Sequence, residues 1–423
     1  MGFHKKISAD EAHRCPQCAQ PTCLPGCPLG IDIPGFIRFL KEGDADSALE
    51  RIKKDNPFPA ICGRICPAPC EKACIFSDEG SPIAIRALER YASDFGRSKV
   101  EAGHARPAPT VPSGPVQGKN ALSKKIAIIG SGPSAMTAAW VLLKKGFNVV
   151  MFEATDQPGG ILRYGIPEFR LPQKILDLQF EELKAQGLEL HTNVLVGRIK
   201  PFQELVDSFD AVLLAVGASL PQFSSLEGEN LAGVYYAAEF LMRLQMASKE
   251  HVSTSGFMFK GNQTMVVGSG HAALDAGRMA ARLGQSVRLI FDGLEEQIGV
   301  STDELKEALD EGIKFQTPFE VLKIVDNHQG CVAGVQCRRM EITEKEGHLS
   351  LQPVQELEVI EAQTVVLANG QRINDLLVET RHCPVSTEKI FTAGSAVSGP
   401  ITVVEAMASG KGVARQIAEY LTR

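Results

Sequence analysis

No run of 18 consecutive apolar residues occurs in the 423-residue chain, so no segment reads as a membrane-spanning helix. The first residues, MGFHKKISADEAHRC, lack the apolar core of a secretory signal. There is no excess of basic charge either: the formal net charge is −6, which argues against nucleic acid as the main ligand, because phosphate recognition needs a clustered cationic face. These absences lead to the expectation of a cytoplasmic, reducing location, in which grouped thiols point to metal or redox chemistry rather than to structural disulfides.

What the sequence does hold is eleven cysteines, unevenly spread. Eight lie between Cys15 and Cys74, and only Cys331, Cys337 and Cys383 lie beyond. The first set is Cys15, Cys18, Cys23 and Cys27, followed by Pro28; the second is Cys62, Cys66, Cys70 and Cys74, with Pro67 and Pro69 between. The prolines keep the second set from forming one helical stripe of thiols. Soft thiolates at such spacing can enclose iron and sulfide, with loop amides turned to the sulfurs. Zinc is the alternative, although paired short hooks are its usual pattern. By count alone eight thiols can fill two four-iron clusters, but spacing does not assign them.

Around these cysteines, IPGFIRFL, ADSALERIKK and PIAIRALERYASDF have apolar residues near helical spacing, which predicts short helices within residues 30–56 and 82–97. A segment rich in proline, glycine and serine follows and reads as a linker over residues 99–123. Beyond it the pattern becomes strand, glycine turn, helix, strand, and it occurs twice, in residues 124–154 and 261–292. Further strand-like runs at 210–218, 332–342 and 362–370 argue for parallel sheets with helices on both faces. The expected fold class is therefore α/β: an N-terminal helical iron–sulfur domain (1–98), then two Rossmann-like dinucleotide-binding domains, one formed by 124–238 with 365–423 and the other by 239–364.

In the first unit Gly130, Gly132, Pro133, Ser134 and Ala135 link an apolar strand to a helix, and Glu153 ends the next strand. Glycines there admit backbone amides to a pyrophosphate, a small residue permits helix–strand packing, and the acid suits ribose hydroxyls. Gly159 and Gly160 can approach a flat ligand, and Arg163 and Arg170 can offset charge developing on it. The second unit repeats the motif in Gly268, Ser269, Gly270, His271, Ala272 and Ala273, and its next strand runs into Asp292. A carboxylate there suits a free 2′-hydroxyl and repels a 2′-phosphate, which predicts NADH over NADPH.

The stretches CPQCAQPTCLPGCPLG, NPFPAICGRICPAPCEKAC and SPIAIRALER closely resemble the N-terminal domain of the glutamate synthase small-subunit family. That pattern is shared by dihydropyrimidine dehydrogenase and by the large subunit of the bifurcating NADH-dependent ferredoxin:NADP oxidoreductase. The resemblance extends from about residue 11 to 421, and QPGGILRYGIPEFRLP is close to the family's flavin signature. It implies FAD at the first unit, with a second contact segment at Gly394, Ser395 and Thr402, where Ser395 stands in place of the usual aspartate. It implies that Gly370 and Gln371 approach the nicotinamide, and that relatives using NADPH carry arginines at the positions of Asp292 and Gly293. For the thiols it implies crossed ligation of two 4Fe-4S clusters: Cys15, Cys18, Cys23 and Cys74 on one, and Cys27, Cys66, Cys70 and Glu89 on the other, with Cys62 a bystander.

The implied activity is an NAD(P)H-dependent electron-transfer oxidoreductase whose NADH, FAD and clusters serve a catalytic partner, either the glutamate synthase large subunit or another soluble oxidoreductase. The alternative is a non-catalytic scaffold that does not react with free nucleotide. A flavin disulfide reductase is disfavoured, because Cys331 and Cys337 read as buried strand cysteines away from any flavin and Cys383 as incidental. His271 occupies a helix-opening position facing phosphate, and Arg338 and Arg339 read as a solvated strand face.

Overall fold

The computed structural model describes residues 10–78, 80–96, 123–249, 258–345, 348–373, 389–399 and 401–423. The linker up to residue 122 and Cys383 lie outside the described residues. Two compact units result: residues 1–162, 169–218 and 373–423 form the first, and 163–168 with 219–372 the second.

In the first unit the cysteine-bearing segment is helical. Helices α1 (Ile33–Lys41) and α2 (Ala45–Lys53) begin at Asp32 and Asp44, whose carboxylates accept the Gly35 and Ser47 amides at 3.0 Å each and so satisfy otherwise unpaired first-turn donors. Helix α3 (Pro59–Ile65) ends at Cys66 ahead of Pro67, and a single turn, Pro69–Lys72, carries Cys70. Helix α4 (Ile85–Phe95) buries Ile85, Leu88, Glu89 and Ala92; of these only Glu89 is ionisable.

The rest of the first unit is a parallel sheet of β1 (Lys125–Ile129), β2 (Asn148–Phe152), β3 (Glu189–His191), β4 (Ala211–Leu214) and, beyond the second unit, β15 (Ile390–Thr392), in the order β15-β4-β1-β2-β3. Its helices are α5 (Pro133–Lys144), α6 (Gln173–Ala185), α7 (Phe202–Ser208) and the C-terminal α11 (Val403–Thr422). Strands on either side of β1 are reached in opposite directions, so the crevice at its carboxyl end is the site where such sheets take ligands. Two ion pairs fasten the cysteine segment to this sheet domain. Lys411 on α11 donates at 3.0 Å to the Leu29 and Asp55 carbonyls and the Asp55 carboxylate. Lys53 reaches Glu182 on α6 at 2.7 Å.

The second unit has its own parallel sheet. It comprises β6 (Val234–Tyr236), β7 (Gln263–Gly268), β8 (Ser286–Ile290), β9 (Lys314–Gln316) and β13 (Thr364–Ala368), ordered β6-β13-β7-β8-β9. Around it lie α8 (Ala237–Lys249), α9 (Gly270–Arg282) and α10 (Thr302–Asp310). Strands β10 (Phe319–Asp326), β11 (Val332–Lys345) and β12 (His348–Glu361) add an antiparallel layer, and β5 (Leu220–Pro221) pairs with β14 (Gln371–Arg372).

The division differs from the boundaries expected at 238/239 and 364/365. Strands β6 and β13 hydrogen-bond into the second sheet, so the chain crosses at 218/219 and 372/373, and 163–168 belongs with the second unit. The antiparallel layer is likewise an addition to the expected parallel sheets. Of the two strand cysteines, Cys337 is fully buried in β11, whereas Cys331 is half-buried in an isolated bridge to Ala232, because it precedes the strand. Arg338 is half-buried and pairs with Glu320 at 2.6 Å, and Arg339 is exposed.

Candidate cluster and dinucleotide sites

Two cavities lie within the cysteine segment. The first is lined by Cys15, Cys18, Cys23 and Cys74 among apolar residues that include Ile33, Ile37 and Ile85. The second is lined by Cys27, Cys62, Cys66, Cys70, Asn56 and Glu89, with Val404 of α11. The two cysteine sets are therefore crossed: the last of each joins the other group. The cause is a contact between segments distant in sequence: an added Cβ on Gly26 would sit 3.0 Å from the Cys70 Cα, so the loop before Cys27 lies directly on the turn that carries Cys70. Ile33 and Ile85 line both cavities and form the wall they share.

Glu89 is the one carboxylate of the second cavity. Its Oε1 accepts from the Asn56 amide at 2.6 Å, and Asn56 is itself fixed by the Phe58 amide, which donates to its Oδ1 at 2.9 Å. Burial pushes the Glu89 carboxyl up to about 8 despite that bond, with Glu71 adding to the rise. Burial also raises the thiols: Cys23 to about 11, with Cys15 contributing, and Cys66 to about 12, with Glu89 and Cys27 contributing. Cys27, Cys62 and Cys70 are raised for the same first reason. Such crowding of acidic donors in apolar walls favours a cationic guest, which offsets the desolvation that disfavours the anions. Among the described residues no three His, Cys, Asp or Glu side chains converge closely enough for one metal ion. A zinc site draws its ligands to within about 2.3 Å of a single centre. Donors distributed around the walls of each cavity, rather than gathered on one point, suit a larger inorganic group instead.

Cys62, expected to stand apart as a bystander, lines the second cavity. It lies on α3, its carbonyl accepts at 2.9 Å from the amide of Cys66, which caps that helix, and it is fully buried against Met407 of α11 with 3.5 Å between sulfurs.

At the carboxyl end of β1, Gly130 has φ +99, and a Cβ there would lie 2.4 Å from the Ala215 carbonyl, so only glycine fits the turn. Gly132, by contrast, faces open space: no atom lies within 4 Å of its Cβ position. Pro133, Ser134 and Ala135 start α5, whose first amides point towards that space. Gly160 lies beside the turn, its Cβ position 3.1 Å from the Gly132 Cα. Glu153, 7 % exposed, accepts from the Thr155 amide and hydroxyl at 2.9 Å each and from the Ser131 hydroxyl. Ser131 in turn accepts the Gly159 amide at 2.8 Å, so Glu153, Ser131 and Gly159 form one chain that holds the glycine loop. Three bonds do not exhaust a carboxylate, which has about four acceptor positions.

Gly394 donates to Ser409 at 2.9 Å, Ser395 begins a single helical turn, and Thr402 caps α11 through reciprocal bonds with Glu405. Arg170 is half-buried in the first unit. Arg163 is buried in the second, where Gln245 donates to its carbonyl at 3.3 Å and to that of Ile166 at 2.7 Å.

In the second unit Gly268 ends β7, Ser269 caps α9, and Gly270 again has no atom within 4 Å of its Cβ position. The His271 Nδ1 lies 3.5 Å from Glu304, a neighbour that no motif announces, and Ala272 and Ala273 follow on the helix. Asp292 stands exposed just past β8, and Gly370 and Gln371 follow β13, the strand beside β7. Both units thus keep a glycine turn, open space at the second glycine and an acid just past the following strand, although the Gly270 amide donates to the Ile298 carbonyl at 2.7 Å. These residues fit a dinucleotide at each sheet.

Residues 1–101 match the family model described as dihydropyrimidine dehydrogenase domain II, 4Fe-4S cluster, and residues 124–410 match that of pyridine nucleotide-disulphide oxidoreductase. The glutamate synthase [NADPH] small chain of Escherichia coli is 31% identical, over 99% of this chain and 92% of its own length. The chain belongs to the glutamate synthase small-chain family. As a member it is an oxidoreductase of FAD, 4Fe-4S and NAD(P) type. The β subunit of the NADP(+)-dependent formate dehydrogenase of Moorella thermoacetica is also 31% identical over 94% of this chain, which spans 60% of that protein. Among solved structures, FprA of Mycobacterium tuberculosis in complex with NADPH aligns with a TM-score of 0.58 at 21% identity, covering 71% of this chain and 85% of FprA, a likeness of fold. No helix among the described residues is long and apolar enough to cross a membrane.

Proposed function

We propose that this chain passes electrons between a nicotinamide nucleotide and a catalytic partner subunit through FAD and two four-iron clusters. The observation that carries the reading is the pair of adjacent cavities drawn from crossed cysteine sets, the first lined by four thiols and the second by four thiols and Glu89. Cys15, Cys18, Cys23 and Cys74 hold one cluster; Cys27, Cys66, Cys70 and Glu89 hold the other. FAD lies at Gly130, Gly132 and Ala135, with its ribose at Glu153, and the nucleotide at Gly268, Gly270 and Ala272. Flavin supplies the conversion between electron pairs and single electrons that a nicotinamide and a four-iron cluster require between them.

The protein's part is placement. Val404, two residues past Thr402 on α11, lines the second cavity, so that cavity faces the flavin domain, and Lys411 holds the interface closed. The shared wall of Ile33 and Ile85 keeps the two clusters adjacent while excluding water. The first cavity, rimmed by Ile75, which is 47% exposed, is the outlet towards the partner.

The partner is a catalytic subunit such as the glutamate synthase large subunit or another soluble oxidoreductase, because relatives are named as a glutamate synthase small chain and as β subunits of formate dehydrogenase and of an NADPH-Fe(3+) oxidoreductase. Those relatives are named for NADP(H), so a preference here for NADH rests on Asp292 alone. Anaerobic mixing tests the reading. NADH is expected to bleach the flavin band rapidly, with NADPH slower, and the iron–sulfur absorbance is expected to fall afterwards. Bleaching by neither nucleotide would leave only the role of a non-reactive scaffold.

A further inference from the structure

The second cavity has one donor too many. A four-iron cluster takes one protein ligand at each iron, about four in all, and Cys27, Cys66, Cys70 and Glu89 already provide them. Cys62 lines the same cavity as a fifth. Its thiol is fully buried, four residues before Cys66 at the end of α3 and on the same cavity, and its neighbours include the Met407 sulfur at 3.5 Å and Asn56, the residue whose amide holds Glu89. The first cavity contains no such spare: its thiols are Cys15, Cys18, Cys23 and Cys74.

We propose that Cys62 is a reserve ligand of the second cluster, able to take the iron held by Glu89; this rests on the ligation proposed above. In the exchange the carboxylate oxygen leaves the iron, the Cys62 sulfur binds it, and the thiol proton passes to the released carboxylate. No electron moves, and the charge of the site is unchanged. Asn56 touches both candidates: its amide holds Oε1 of Glu89, and its side chain also bonds Cys62, whose thiol is turned to Met407. One site thereby has two coordination states, one with three thiolates and a carboxylate, the other with four thiolates.

The test uses the full chain, prepared anaerobically as the parent, Glu89→Ala, Cys62→Ser and the double variant. Iron content and low-temperature electron paramagnetic resonance are read for each, and flavin content reports the fold of the remainder. Parent and both single variants are expected to carry about eight irons, with Glu89→Ala showing a shifted four-iron spectrum and no three-iron signal. The double variant is expected to lose iron, as a three-iron signal or as a missing cluster, with flavin retained. Iron loss or a three-iron signal in Glu89→Ala alone overturns the proposal while leaving two clusters in the parent. A double variant as complete as its parent overturns it as well. A parent without iron defeats the underlying ligation and this inference together.

Discussion

Cys18→Ala is expected to remove about half of the iron, from about eight to about four per chain, while flavin content stays at the parent level. Cys18 sits on a half-buried loop of the first cavity, and no fifth thiol lines that cavity, so nothing replaces the lost ligand. The fold around it survives, because Phe36, Ile37, Ile85 and Leu88, the buried residues of α1 and α4, are not altered by the substitution. One of two iron–sulfur signals is expected to vanish from the NADH-reduced spectrum, and reduction of the flavin by NADH is expected to be unchanged. Cys331→Ser provides the comparison: half-buried at an isolated bridge far along the chain, it is expected to alter none of these measures. Loss of flavin together with iron in Cys18→Ala would mean that the cysteine segment supports the flavin sheet rather than serving as a separate relay.

The second large effect concerns the nucleotide. Asp292→Arg is expected to reverse the preference from NADH to NADPH, shifting the ratio of the two kcat/KM values on the order of 100-fold, or about 3 kcal/mol. The exposed carboxylate just past β8 accepts from a free 2′-hydroxyl, whereas a guanidinium offers forked donors to a 2′-phosphate. Solvent screening at this exposed position tempers the repulsion and sets the modest size of the shift. Gly293 is best left as it is, since a Cβ there would lie 2.9 Å from the Phe291 ring. Stopped-flow bleaching with each nucleotide reads the ratio; no change would place the ribose elsewhere.

Much of the fold and of the site is legible from residues alone, for physical reasons. A glycine turn between an apolar strand and a helix is a local signal, so Gly130, Gly132, Gly268 and Gly270 are assignable from their immediate neighbours; Gly130 and Gly268 stand at strand ends and Gly132 and Gly270 at helix starts. Thiol spacing identifies the donors but not their grouping, because the crossing depends on the loop at Gly26 lying on the turn at Cys70, a contact between residues more than 40 positions apart. Asn56 leaves no trace in the sequence: a lone asparagine beside a proline reads as a turn, and only the fold brings it to Glu89. The domain boundaries differ from those expected because β6 and β13 are short apolar strands whose sheet membership depends on distant partners. In strand β12 the period-two alternation of LSLQ and ELEV is broken at Pro353-Val354-Gln355, and its apolar Leu357 and Val359 are exposed.

The central claim is that two thiolate-lined cavities make this flavoprotein an electron relay. Metal and acid-labile sulfide analysis of anaerobically purified chain tests it most directly. About eight irons and eight sulfides per chain, with one FAD, is the expected result. Stoichiometric zinc without sulfide, or thiols fully titratable with no metal bound, would contradict it.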